Sequence, residues 1–459
     1  MHELFVFLLF ALALMIILTG FPVAFSLAGS ALLVALLGHV LDVFDLSYLQ
    51  VFPQRLFGIM KNETLMAVPL FVLMGVILEQ SQISERLLLK MGQAFQRIRG
   101  GLGLSVFLVG ALLAASTGIV GATVVTMGLI SLPSMLKNKY SPSLASGIIC
   151  ASGTLGQIIP PSIILIILGD VISSAHQQAQ LEAGIFSPTS VSVADLFMGA
   201  IFPGLLLVAL YMVYVFFIAL FKPEVAPPVK EPELKVSLRE MLGSVLPPLI
   251  LIIGVLGSIL AGMATPTESA SVGCVGALIL TFFIKKRLSL GFFKKVLSST
   301  VLVNSMVFTI LIGASLFSLV FRGLEGDDVV RTFLMHHQSH HLFFFVMALM
   351  FLLGFFLDFF EITFVIVPIV GPVLLQMGFD PIWLGVMIAL NLQTSFLTPP
   401  FGFSLFYFRG VAPESVRTVD IYKGVVPFIF IQVIVMGVLW FWPQLATWLP
   451  MTLQKTGAF

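Results

Sequence analysis

Residues 152–163 read SGTLGQIIPPSI, and they lie deep inside an apolar segment long enough to span a membrane. The stretch holds two glycines, a Thr, a Gln and the pair Pro160-Pro161. A continuous helix loses backbone hydrogen bonds at such a pair. In hydrocarbon each unpaired backbone group costs several kcal/mol. The break must therefore line a protein-buried or water-filled site. A second break follows far downstream at 391–402, NLQTSFLTPPFG, with Pro399-Pro400 in the equivalent place.

The solvent of this chain is lipid. Of its 459 residues 59% are hydrophobic and only 10% charged, with a mean hydropathy of +1.11. A soluble chain carries about 25% charge. The composition predicts an all-α polytopic membrane protein. A formal net charge of +1 without a basic patch outside short loops gives no reason to expect nucleic acid as a partner. The first apolar run follows no basic n-region and precedes no small-residue cleavage site, so it reads as a retained helix.

Apolar spans are predicted near 3–19, 23–38, 64–80, 142–170 and 196–221, then near 244–262, 267–284, 298–321, 381–408 and 424–448. Two further apolar regions, 101–136 and 342–377, are interrupted by AASTGIVGAT (114–123) and GFFLDFFEIT (354–363). Each reads either as a re-entrant hairpin or as two short crossing helices. Charge decides. Cytoplasmic loops collect Lys and Arg. Most of the 23 basic residues fall in the loops of Arg86–Arg99, Lys137–Lys139, Lys222–Arg239, Lys285–Lys295 and Arg409–Lys423. All of these share one side only if each hairpin returns to the side it entered from. Both termini are then external.

Pro160 and Pro399 are 239 residues apart. The same shift carries the first hairpin tip onto the second and span 64–80 onto a span. Each unit has five crossings, an odd number, so the second unit is inverted. The expected units are 1–221 and 244–459, joined by a polar, Pro-rich cytoplasmic linker at 222–243. Inverted repeats place a substrate site at the midplane, on discontinuous helices. Ile83–Gln96 and Leu288–Leu297 have amphipathic spacing and read as interfacial helices or as plain cytoplasmic ones.

Several polar groups fall at membrane depth. Asp358 and Glu361 in the second hairpin form either a cation or proton site or an interfacial pair, because an acid there costs about 2.5–3.5 kcal/mol. The breaks carry Ser152, Thr154, Gln157, Asn391, Gln393, Thr394, Ser395 and Thr398. A lone Ser or Thr in a membrane helix usually back-bonds to its own helix. Clustering at two related breaks, with exposed carbonyls and half-helix dipoles, points instead to cations and an organic anion. Cys150 and Cys274 read as packed free thiols. The loop HHQSHH, His336–His341, has metal-ligand spacing but no completing Cys or carboxylate, so surface roles are preferred. There is no G-x-S-x-G elbow, no H-E-x-x-H and no P-loop. No metal beyond sodium and no organic cofactor is expected.

The sequence resembles the large membrane subunit of tripartite ATP-independent periplasmic (TRAP) transporters. The residues that carry the resemblance are 66–87 (MAVPLFVLMGVILEQSQISERL), 122–163, 264–273 (ATPTESASVG), 357–372 and 390–403. It implies an ion-transporter fold with scaffold and elevator-type transport domains in a bacterial inner membrane. It also implies sodium-driven import of an organic acid, such as a dicarboxylate, delivered by a periplasmic binding protein. A small four-helix membrane subunit is the further implied partner, beside membrane lipid. The sodium sites implied are Ser116, Thr117 and Gly118 with Ser152, Gly153, Thr154 and Gly156, and Asp358 with Asn391, Thr394, Ser395 and Thr398. The organic anion is assigned to Gly121, Thr123, Gln157, Glu361, Thr363 and Gln393. One departure stands out: many members have Gly-Ser-Ser at the first tip, where this chain has Gly118-Ile119-Val120. A stand-alone sodium- or proton-coupled anion permease, and a membrane-embedded enzyme, are the competing readings.

Overall fold

The computed structural model describes residues 1–117, 120–229, 237–335 and 339–455. Among them there is no strand. The chain opens with α1 (His2–Leu18) and α2 (Val23–Val40), a short 3₁₀ turn (Leu46–Val51) and α3 (Phe52–Lys61). It continues through α4 (Ala67–Gln80), α5 (Ile83–Phe95), α6 (Gly101–Thr117) and α7 (Val120–Lys137). The first break separates α8 (Pro142–Thr154) from α9 (Ile163–Glu182) and contains a 3₁₀ turn, Leu155–Gln157. Next come α10 (Val193–Phe221), α11 (Leu238–Leu260), α12 (Pro266–Lys285), α13 (Leu290–Gly323) and α14 (Gly326–Met335). The second hairpin region is α15 (Ser339–Leu353), then α16 (Phe359–Glu361), which passes through a π-helical turn (Ile362–Ile366) into α17 (Val367–Gln376). The second break separates α18 (Pro381–Leu397) from α19 (Phe403–Val411), and α20 (Thr418–Phe441) and α21 (Gln444–Lys455) close the chain.

Both breaks are present where the sequence places them. Proline sits at the first helical position of α8 and of α18, where its missing N–H costs nothing. Pro142 and Pro381 are again 239 residues apart. Eight described helices are long and apolar enough to cross a membrane unaided: α2, α7, α10, α11, α12, α13, Phe359–Gln376 and α20. The broken pairs α8/α9 and α18/α19 are not among them, because α8, α18 and α19 are short and the second half of α9 is polar.

Three boundaries differ from the sequence reading. The expected span 142–170 runs on to Glu182, since the polar tail HQQAQLE keeps good helix formers after the apolar run ends. The separate helix expected at 288–297 is instead the first part of α13, because Ser289 caps its N-terminus by accepting from the Phe292 N–H at 3.1 Å and nothing breaks the helix downstream. The expected span 424–448 is two helices, with Pro443 after Trp442 ending the first. His340 and His341 begin α15 and are not in a loop, and the His340 ring meets Trp440 edge-on at 5.5 Å. His336 and His337 lie outside the described residues, as does the linker at 230–236.

Contacts group the helices. α1–α4 pack with α11–α13, and α13 crosses α2 and α4. The remaining helices gather around α8 and α18, whose side chains are almost wholly buried. Gly147 and Gly424 let α8 and α20 touch backbone to backbone: a Cβ on Gly424 would fall 2.0 Å from the Ser143 carbonyl oxygen. Small residues permit this close helix approach in lipid.

Candidate functional site

Each hairpin packs against the first half of one broken helix and the second half of the other. α6 and α7 lie on α8, and α7 also meets α19. α15 and α17 lie on α18 and α9 respectively. A Cβ built on Gly153 would fall 2.2 Å from Val124 Cγ2 of α7, and one on Gly110 would fall 2.8 Å from Ser152 Cβ. On the other side, a Cβ on Gly354 would fall 2.2 Å from Ser395 Oγ. The arms of the first hairpin region and the start of the second tip therefore press directly on the polar breaks.

At the first break, Ser152 Oγ donates to the Ile149 carbonyl and Thr154 Oγ1 to that of Ala151, both at 2.9 Å. At the second, Thr394, Ser395 and Thr398 donate to Leu390, Leu392 and Thr394 carbonyls at 2.7–2.8 Å. The back-bonding expected for isolated hydroxyls is thus universal here. It leaves the site chemistry intact, since a donating hydroxyl keeps its oxygen lone pairs for a cation. Gly156 differs from expectation: its carbonyl accepts from Ser162 Oγ at 2.8 Å, which engages one of the carbonyls the break exposes.

The breaks meet each other. Gln393 Nε2 donates to Thr154 Oγ1 at 3.3 Å, both side chains fully buried, and the two residues are 239 apart. Gln157 is also fully buried, and neither end of its amide has a protein partner. Gln393 Oε1 and Thr363 Oγ1 are likewise unpartnered. Buried polar atoms are normally satisfied, and these four atoms at the two breaks and the second tip are exceptions.

The second tip carries the acids. Asp358 and Glu361 form a reciprocal capping box at the start of α16. Glu361 Oε2 accepts from the Asp358 N–H at 2.7 Å, and Asp358 Oδ1 accepts from the Phe359 N–H at 2.6 Å. Both carboxylates face orphan helix donors, which offsets part of their desolvation cost. Thr363 lies in the π-helical turn, a geometry often found at functional sites. Asn391 Nδ2 donates to the Met347 carbonyl at 2.8 Å, tying α18 to α15.

Thr123 and Gly121 lie on α7, close to the first tip. The side chains of Ser116 and Thr117 and the whole of Gly118 lie outside the described residues. Sequence reasoning missed Tyr407, whose ring would lie 2.9 Å from a Cβ on Gly121. It missed Ser404, whose Oγ donates to the Cys150 carbonyl at 3.1 Å and pins α19 to α8. Asp170 was also missed; Asn62 Nδ2 donates to its two oxygens at 3.0 and 3.2 Å. An acid at the end of an apolar span was the available signal for Asp170. Both cysteines are buried and free, as expected.

Comparison with known proteins gives one family. Residues 9–445 match the tripartite ATP-independent periplasmic transporter, DctM component. The C4-dicarboxylate TRAP transporter large permease protein DctM of Pseudomonas aeruginosa is 29% identical over 401 residues, 86% of this chain and 88% of that one. The sialic acid TRAP transporter large permease protein SiaM of Vibrio cholerae is 29% identical over 95% of this chain and 96% of its own. Among solved structures, the Alcanivorax borkumensis YdaH transporter aligns with a TM-score of 0.63 at 13% identity, covering 89% of each chain. That likeness concerns the fold.

Proposed function

This chain belongs to the tripartite ATP-independent periplasmic transporter family, DctM component, and is a large permease subunit; on that premise we propose that it imports an organic acid by sodium symport. The observation that carries the proposal is the pair of breaks, each under a hairpin, joined through Thr154 and Gln393. Half-helix N-termini favour an anion, and lone pairs of hydroxyls and carbonyls favour sodium. Each positive charge carried inward gains about 2.3 kcal/mol per 100 mV.

In this reading the chain is an inverted repeat, 1–221 and 244–459, with both hairpins re-entrant and both termini periplasmic. The helices around α8 and α18 move as a transport domain against a scaffold of α1–α4 and α11–α13, in an elevator motion. A periplasmic binding protein delivers the acid, and a small membrane subunit completes the complex in the inner membrane. Relatives named for C4-dicarboxylate, sialic acid and ectoine leave the acid itself to be measured.

The test is uptake in proteoliposomes holding both membrane subunits, with and without sodium and with and without the loaded binding protein. Uptake is expected only when both are present. Uptake without the binding protein would favour a stand-alone permease, and uptake indifferent to sodium would remove symport. Impermeant thiol labelling checks orientation: Ala183→Cys should react from outside and Lys230→Cys only from inside.

A further inference from the structure

α9 carries a row of polar residues four apart, Asp170, Ser174, Gln178 and Glu182. Residues at that spacing share one face of a helix. The other side of the same stretch is apolar: Val171, Ile172, Ala175 and Ala179 are buried, and a Cβ on Gly371 of α17 would fall 3.2 Å from Ala175 Cβ. Ser174 Oγ donates within the helix, to the Asp170 carbonyl, and the other three polar residues are held from outside it. Asn62, at the end of α3, donates from Nδ2 to both Asp170 carboxylate oxygens at 3.0 and 3.2 Å. Arg322 Nη2 of α13 donates to Gln178 Oε1 at 2.9 Å. Arg331 of α14 lies 3.9 Å from Glu182. In each contact α9 supplies the oxygen and the facing element the nitrogen.

α3 and α13 pack in the group of α1–α4 with α11–α13, whereas α9 belongs to the helices around α8 and α18. α14 touches both groups, through α1 and α13 on one side and α17 on the other. The row thus runs along the boundary between the groups. Most of its members and partners keep a second bond when it opens. Asn62 Oδ1 accepts from the Thr64 and Leu65 N–H groups at 2.9 and 3.2 Å. Arg322 Nε lies 3.5 Å from Asp327 Oδ2, and Gln178 Nε2 donates to Glu182 Oε1 at 2.9 Å. Polar contacts at partly exposed positions, with partners otherwise engaged, come apart at small cost.

We propose that this row is a releasable latch, which holds the helices around α8 and α18 against the scaffold in the position seen here and must part for the acid to cross. The inference rests on the elevator reading above and names the contacts that weight its two positions. A contact made in one position only shifts their ratio by what it contributes there. At partly exposed sites each lost contact should move that ratio about two- to fivefold.

The test is double electron–electron resonance on the complex of both membrane subunits in nanodiscs, with spin labels on Ala183→Cys at the end of α9 and Val40→Cys at the end of α2. Both positions are exposed, and the native Cys150 and Cys274 are buried. Asp170→Ala and Gln178→Ala should each raise the share of the second distance about two- to fivefold, and the double variant should raise it further. Asp170→Asn keeps an acceptor for Asn62 and should match wild type. A distribution unmoved by both alanine changes, or moved as far by Asp170→Asn as by Asp170→Ala, overturns the latch and leaves the elevator reading standing. A second measurement separates the two. A short, cleavable bifunctional thiol reagent joining Gln178→Cys to Arg322→Cys should abolish uptake in proteoliposomes, and cleavage should restore it. Uptake that survives complete cross-linking removes the motion itself, and the elevator reading falls with the latch.

Discussion

The two breaks share a backbone and differ in chemistry. Each begins on a proline-led helix, ends in a Pro-Pro pair and is pressed by a hairpin through a glycine or a small residue. The second has carboxylates at its tip and an amide, Asn391, that binds the opposing hairpin's backbone. The first has no acid among its described tip residues, an extra 3₁₀ turn, and an amide, Gln157, that binds no protein atom. Backbone breaks are thus the common device, since they expose dipoles wherever they occur. Charge is the part that distinguishes one site from the other.

If charge at the second tip carries coupling, Asp358→Asn should abolish sodium-dependent uptake, the largest effect expected from any single site. The substitution keeps a capping side chain, so the folded yield should stay near wild type. Ser152→Ala at the first break should retain measurable uptake with a higher sodium requirement. Equal loss from both changes would erase the asymmetry. Unchanged uptake at limiting sodium in Asp358→Asn would remove the carboxylate from the site.

Packing offers the next contrast. Gly354→Ala would drive a methyl to 2.2 Å from Ser395 Oγ and 2.9 Å from its Cβ. Overpacking of this kind costs about 1–3 kcal/mol. Gly110→Ala meets Ser152 Cβ at 2.8 Å and should cost toward the lower end. Thermal melting of the purified variants checks the order, which reverses if the Gly110 contact is the tighter one.

The amides divide stability from function. Asn391→Leu removes the bond to the Met347 carbonyl, which keeps its partner within α15, so the loss should be about 0.5–1.5 kcal/mol, that of a single hydrogen bond. Gln157→Leu removes two groups that have no protein partner, so its melting temperature should hold or rise while uptake falls. A Gln157→Leu variant that melts early would mean that its amide is satisfied structurally, and the first break would then lose its candidate substrate group.

Much of this arrangement was legible from residues alone. Pro-Pro inside an apolar run announces a break, and the 239-residue spacing pairs the two. Asp358 and Glu361 are conspicuous because acids are costly in lipid. Other features were invisible for a physical reason. A helix surrounded by lipid and protein is apolar on every side, so periodicity does not report which face meets which neighbour. Tyr407 reaching Gly121, and Ser404 reaching the Cys150 carbonyl, come from the crossing of α19 over the first hairpin and α8. The start of α13 misled because a basic, amphipathic opening turn resembles a separate interfacial helix.

The smallest effect expected is the one that decides whether the comparison is between two sites or two halves of one. Gln393 Nε2 donates to Thr154 Oγ1 across the breaks. Thr154 Oγ1 in turn donates within its own helix, so the two bonds form a chain from α18 to α8. If the breaks respond to sodium together, this chain is a direct route between them. Thr154→Val and Gln393→Leu should each raise the half-saturating sodium concentration a few-fold, and the double variant should do little more than either. The shared term should be about 0.5–1.5 kcal/mol, that of a single hydrogen bond. Fully additive effects on half-saturation would instead mean two breaks that meet in space and act independently.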